Sequence, residues 1–390
     1  MPVVSPFIAL STNGSRQGVH VAPLRLRLAL ALACLCVVTR AVTAQSNDDW
    51  QTDFSKHTVP LDEIVSGGPP KDGIPAIDHP RFVSVRIADE WLDDREPIVI
   101  LTVGTIAKAY PLQILMWHEI VNDIVGDVPV AVTYCPLCNT ALGFDRRFDE
   151  QVLDFGTTGR LRHSDLVMYD RQTETWWQQA TGEGIVGRYA GRALTFVSAP
   201  TVSWKAFKQQ YPNGSVLSRD TGYQRSYGRN PYAGYDNPQG GPIRRFFRGK
   251  ADDRLSAMER VVAVQQGPAT AAYPFSVLSR KRVINDTLAG HPIVVLWVPG
   301  MASAVDAGEI AAGRDVGSSG VFSQRVGTRT LRFEPVGNGT FRDTETSSLW
   351  TILGLAIDGP LSGERLEPIP HGNHFWFAWA VFKPETRIFR

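Results

Sequence analysis

Residues 130–146 read V-A-V-T-Y-C-P-L-C-N-T-A-L-G-F-D-R. The β-branched run ends at Tyr134, and two cysteines three positions apart follow where a strand must stop, because Pro136 has no amide proton for a ladder. Residues 139–144 read as turn and strand. Working upstream, residues 128–134, 120–125, 98–103 and 82–87 are apolar or alternating runs, and Gly126-Asp127 is a hairpin turn between the first two. Residues 111–117 carry helical spacing, with Leu112, Leu115 and Met116 on one side. Ten tryptophans and 35 glycines lean toward turn-rich β structure rather than bundled helices. The fold class is therefore α+β, mainly β, with short helices.

Downstream, residues 152–155, 166–169, 175–179 and 193–197 read as strands and 202–210 as an amphipathic helix, after which the pattern starts again. Tyr110-Pro111 recurs as Tyr273-Pro274, 163 positions on, and at that spacing Gly104 meets Gly267, Asn122-Asp123 meets Asn285-Asp286, and Pro136 meets Pro299. Later, Asp154-Phe155-Gly156 resembles Asp315-Val316-Gly317, Asp170 and Trp177 match Asp343 and Trp350, and Trp204 parallels Trp379. The expected organisation is two tandem homologous β-rich units, an internal duplication. The first spans 80–218 and carries the candidate site; a Gly/Tyr/Arg-rich linker or loop covers 219–250; a second, degenerate unit covers 251–390. An extended lead-in occupies 45–79.

Three motifs stand out in order: His118-Glu119-Ile120-Val121-Asn122-Asp123, then Tyr134-Cys135-Pro136-Leu137-Cys138, then Ser164-Asp165-Leu166-Val167-Met168-Tyr169-Asp170-Arg171. From about Pro80 onward the chain resembles a family of exported bacterial and archaeal proteins catalogued only as a domain of unknown function. The resemblance implies no activity.

The N-terminal stretch places Arg16, Arg25 and Arg27 before an apolar run at 28–38, with Val42-Thr43-Ala44 ahead of Gln45. That reads as a secretory signal peptide over 1–44, since the run is too short to span a bilayer, which takes roughly twenty residues. The mature protein is expected to be exported, periplasmic or extracellular, with no membrane span after cleavage. Cys34 and Cys36 would leave with the peptide, so only Cys135 and Cys138 remain. A net charge of +1 gives no global field for nucleic acid.

Comparing the halves sorts the residues. At the 163 spacing Cys135 faces Val298, Cys138 Met301, His118 Lys281, Glu119 Arg282 and Asp145 Gly308, while the apolar frame persists. A corner that the second unit builds with Val and Met does not require a disulfide. The groups most able to bind metal or move protons disappear together, which assigns them to one site.

Three accounts of that site stay open. A structural Cys135–Cys138 disulfide suits an exported protein, though a loop this small constrains little chain entropy. A thiol-redox pair has C-x-x-C spacing, with Cys135 attacking and Cys138 resolving. The leading account is metal: His118, Cys135 and Cys138 form a Cys2His set suited to Zn, Cu or Fe that leaves a fourth position open, and Glu119 serves as general base. The zinc-deaminase pattern is rejected, because His118 and Glu119 are adjacent and Pro136 lies inside the cysteine pair.

His163, in a basic turn, reads as solvated, Asp145-Arg146 as a surface pair, and Trp176, matched by Leu349, as a surface aromatic. His371 and His374 flank Gly372-Asn373 with no further ligand nearby. The best functional expectation is a metal-binding or thiol-redox protein acting on a small molecule or protein partner. The alternative is a non-catalytic binding module that recognises a glycan or protein through Trp176 and the tyrosines and arginines of 219–250.

Overall fold

In the computed structural model, residues 49–337 and 339–390 are described. The signal-peptide reading and Cys34 and Cys36 lie outside them. Among the described residues the fold is mainly β, with several largely antiparallel sheets and five short α-helices. Among the described residues, no helix is long and apolar enough to cross a membrane.

The unit that positions the site begins with the hairpin Pro97–Val103/Ile106–Pro111, which feeds the helix Leu112–His118. Pro111 sits at the N-cap with φ −61°, a value its ring already imposes, and every residue of the helix except Trp117 is buried. The helix stops at Glu119, whose backbone turns left-handed (φ 57°) while its N–H still bonds the Leu115 carbonyl. That turn releases the chain into a three-stranded antiparallel meander, Ile120–Val125, Val128–Cys135 and Thr140–Asp145.

The same devices recur further on. Pro274 caps the helix Phe275–Lys281, which ends at left-handed Arg282 (φ 65°) and feeds the strands Val283–Leu288, His291–Val298 and Ser318–Ser323. Tyr110 donates its hydroxyl to Asp123 at 2.6 Å, and Tyr273 donates to Asp286 at 2.8 Å. The Asn122 amide clamps the backbone of Phe155 on both sides, and the Asn285 amide does the same to Phe333. Buried Asp170 accepts from Thr173 and from the Trp177 indole N–H at 2.9 Å, and buried Asp343 accepts from Thr346 and from the Trp350 indole at 2.9 Å.

Two sequence pairings are corrected by these contacts. Phe155 and Phe333 are held by the same asparagine clamp, whereas the sequence reading set Phe155 against Val316. Likewise Trp204, whose N–H bonds the Glu96 carbonyl and whose indole bonds Asp89, is matched by Trp376, which makes the same bonds to Glu259 and Asp252. Sequence similarity pointed at Trp379 because aromatic residues crowd that helix.

The described residues belong to one compact unit, in which the cysteine turn touches the strand His371–Phe375. The Phe375 N–H bonds the Cys138 carbonyl at 2.9 Å, and Thr140 Oγ1 lies 2.8 Å from His374 Nδ1. The segment 219–250, expected as a linker or surface loop, packs against this region. Its Tyr227, Tyr232, Tyr235, Phe246 and Phe247 pack against the core that contains both cysteines. A stretch with so many aromatics loses too much by staying in water.

Candidate metal centre at the Cys135–Cys138 turn

Cys135 is the last residue of its strand and pairs with Thr140, so Pro136–Asn139 form a tight connection. Within it the Cys138 N–H reaches the Cys135 carbonyl at 3.3 Å, and Asn139 takes a left-handed φ of 53°. Both thiols are free and buried, and both lie against the Ser164 carbonyl, at 3.6 Å and 3.3 Å.

That carbonyl belongs to a hairpin between the strands Phe155–Arg162 and Asp165–Asp170. The two-residue turn is His163-Ser164, with φ 52° and 69°. Two-residue hairpins of this kind need positive φ twice, a demand normally met by Asn-Gly. Here His and Ser meet it, and non-glycine residues in that region carry strain of about 1–2 kcal/mol each. The turn delivers Asp165 beside the thiols. Its Oδ2 accepts from Gln178 Nε2 at 2.6 Å and from the Ala180 N–H at 2.9 Å, while its Oδ1 is buried and unpartnered. One ligand atom each from Cys135, Cys138 and Asp165 lies within 4.8 Å of the others.

The surroundings disfavour negative charge. Burial, and secondarily Asp165, pushes the Glu119 carboxyl up to about 8. Burial pushes Asp165 up to about 6 despite the N–H of Ala180 and the amide of Gln178. The Cys138 thiol is pushed up by burial first, then by Cys135 and Asp165. Among the described residues neither Glu119 nor Asp165 has an ion-pair partner. Glu119, Cys138 and Asp165 are thus all buried in a region that favours their protonated forms.

Residues 71–386 match the family described as Protein of unknown function (DUF3179). The chain belongs to that family. No curated protein and no solved structure matches it. All three motifs lie inside the matched span, and in this DUF3179 chain the first two and the start of the third frame the site.

The structure places the predicted site residues unequally. Cys135 and Cys138 come together, and the charge of Glu119 couples to Asp165. His118 does not belong to the group. Its Nδ1 bonds the Pro75 carbonyl at 2.7 Å and its Nε2 bonds the Tyr227 hydroxyl at 2.7 Å, so both ring nitrogens are engaged. A carbonyl only accepts, so Nδ1 carries the proton and the Tyr227 O–H donates to Nε2. Burial lowers the pKa of this imidazole, keeping it neutral. It thereby ties the lead-in and residues 219–250 to the helix end.

Asp165 was the residue sequence reasoning missed, although it stands in the third motif. The spacing that pairs Asp170 with Asp343 sets Asp165 against Asn338, so the same loss of acid in the second half was there to be read. Other surface expectations are overturned. His163 is 8% exposed, 3.3 Å from Glu63 and edged by Phe247 and Phe382. Trp176 is buried beneath Trp50 and Phe54, both from the lead-in. Asp145 pairs with Arg147, while Arg146 is buried and bonds Asp154 and the Leu153 carbonyl.

Proposed function

We propose that the chain is a metal-binding protein whose centre is Cys135, Cys138 and Asp165, built in the first half of an internally duplicated scaffold and absent from the second. The observation that carries this reading is the unpartnered, buried Oδ1 of Asp165 beside two buried free thiols. A divalent cation turns each liability of the site into a bond: the thiols ligate as thiolates, Asp165 ligates through its open oxygen, and the cation's charge offsets the desolvation of all three. Two thiolates and one carboxylate favour Zn²⁺, with Fe²⁺ next; Cu(I) prefers sulfur and imidazole over carboxylate. Three protein ligands leave a fourth position for water or substrate, and Glu119, protonated near neutrality in this environment, is suited to proton transfer there. A thiol-redox role is less favoured, because burial first, and then Cys135 and Asp165, push the Cys138 thiol up and suppress its thiolate.

Export to the periplasm or beyond belongs to the same proposal and rests on the N-terminal sequence alone. The substrate is a small molecule, since Tyr232 and Tyr235 pack against the core that contains both cysteines and the Tyr235 hydroxyl donates to the Leu137 carbonyl within the turn.

The test is elemental analysis with thiol counting on protein purified without chelator, followed by Co²⁺ replacement. One equivalent of Zn or Fe and a thiolate-to-Co²⁺ charge-transfer band, both lost in C135S and weakened in D165N, are expected. A metal-free protein whose two cysteines titrate as a reducible disulfide would sink the proposal and restore the structural-bridge account.

A further inference from the structure

A second feature lies on the other side of the cysteine turn, in a cavity of 280 Å³ lined by Leu142, Ala180, Phe196, Ala263, Trp379 and His374, among others. No charged residue lines it. His374 is 1% exposed and packs against Trp379 with centroids 5.0 Å apart. Thr140 Oγ1 can donate to the Cys138 carbonyl at 3.3 Å, which leaves its lone pair for the Nδ1–H of His374 at 2.8 Å. The Nε2 of His374 is then the bare acceptor, and it is buried without a partner. It lies over Gly372, where a Cβ would come within 2.4 Å of it, so the glycine is what gives the imidazole its place beside the cavity.

The histidine pair itself is not a metal site. In the strand His371–Phe375, His374 faces Val261 and His371 faces Val264 of the neighbouring strand Arg260–Gln266. Val261 and Val264 differ by three positions, and strand alternation sends such residues to opposite sides of the sheet. One imidazole and no carboxylate make a poor cation site. Uncharged walls instead suit an uncharged molecule; the unpartnered Nε2 of His374 is one buried acceptor, and that of His371, whose Nδ1 bonds the Ile369 carbonyl, is a second on the opposite face of the strand, with Gln265 also at the wall.

We propose that this cavity binds a small, neutral molecule with a one-ring-sized apolar body and a single O–H or N–H donor, read by His374 Nε2. The size agrees: an apolar cavity of about 150 Å³ holds benzene, so this one holds a ring with a substituent. Burial depresses the His374 pKa to about 3, so the ring stays a neutral acceptor at any physiological pH. Occupancy is felt at the cysteine turn through two short links, His374–Thr140–Cys138 and Ala180, which lines the cavity and donates its N–H to Asp165.

The inference goes beyond the metal reading and does not rest on it, so the experiment uses metal-free protein. Phenol is titrated against toluene, which has the same shape without the donor, while the ring nitrogens of ¹⁵N-histidine-labelled protein are followed by NMR. Phenol is expected to bind roughly tenfold more tightly than toluene, as one hydrogen bond to a buried acceptor allows. Its binding shifts the Nε2 resonance of His374 and leaves the Nε2 of His118, already bonded to Tyr227, in place. G372A, which crowds the imidazole, and A263L, which fills the cavity from the neighbouring strand, both abolish the effect. Equal affinity for the two probes, no binding of either, or binding that leaves the His374 resonance unmoved overturns the proposal.

Discussion

Glu119 combines a left-handed backbone with a carboxyl that the fold holds protonated, and the two have different origins. The backbone is a property of the helix end, because Arg282 has the same conformation with the opposite charge. The protonation is a property of the site. Its pKa rises from an ordinary 4.5 to about 8 on folding, so the folded state holds that proton more tightly than the unfolded one. The resulting stability is fully present below pH 4.5 and is lost as pH climbs through 8; Asp165 acts in the same sense up to about 6. Metal-free protein should therefore lose melting temperature between pH 5 and 8.5, and E119Q should remove roughly 3–5 kcal/mol of that dependence. With metal bound the trend should reverse, since ligation requires the thiols and Asp165 to give up protons. Thermal melts with and without chelator read both. Ser164 offers a second check at this scale: its Oγ is buried and unpartnered and its φ is 69°. S164G should stabilise by about 1 kcal/mol in a denaturant titration. A loss instead would show that the hydroxyl holds something in the native protein.

At the scale of elements, the turns after the strands Asp165–Asp170 and Thr340–Asp343 are organised by one buried carboxylate each, and the two are interchangeable in form. Asp170 and Asp343 accept from the threonine three positions on and from a tryptophan indole seven positions on. An asparagine there keeps the shape and presents an N–H toward donors. D170N and D343N should each destabilise by about 1–3 kcal/mol, read as a lower urea midpoint, with similar size in the two halves. This is where the sequence was most legible. Proline before the helix, the Tyr-Pro and Asn-Asp pairs and the Asp…Trp spacing are local rules that recur, and recurrence separates them from chance. Legibility failed where aromatics are dense, as with Trp379 for Trp376, because composition there does not say which ring meets which carboxylate.

At the scale of the molecule, the cysteine turn is enclosed by parts distant in sequence. The strand His371–Phe375 lies on one side, and the Tyr235 hydroxyl donates to the Leu137 carbonyl at 3.0 Å from another. Both thiols are buried, so alkylation of Cys135 and Cys138 in native metal-free protein should be slow and should go to completion only in denaturant. Y232A combined with Y235A should raise the native rate at least tenfold while the melting transition stays cooperative, as removing a cover opens a site locally without unfolding the whole. Mass spectrometry over time measures it. Rapid native labelling of the wild type would mean that residues 219–250 do not cover the turn.

The sequence by itself determined the β-rich class, the helix ends, the recurring pairs and the strand stop at Cys135-Pro136, because each depends on neighbours within a few positions. It also marked which acids and thiols the second half lacks. Only the tertiary structure decided which side chains cluster with the two thiols. Asp165 reaches the thiols through a strained hairpin turn, His118 spends both nitrogens on Pro75 and Tyr227, and the aromatic segment closes over them. Such choices depend on which chains pack together far apart in sequence, and composition carries no record of that.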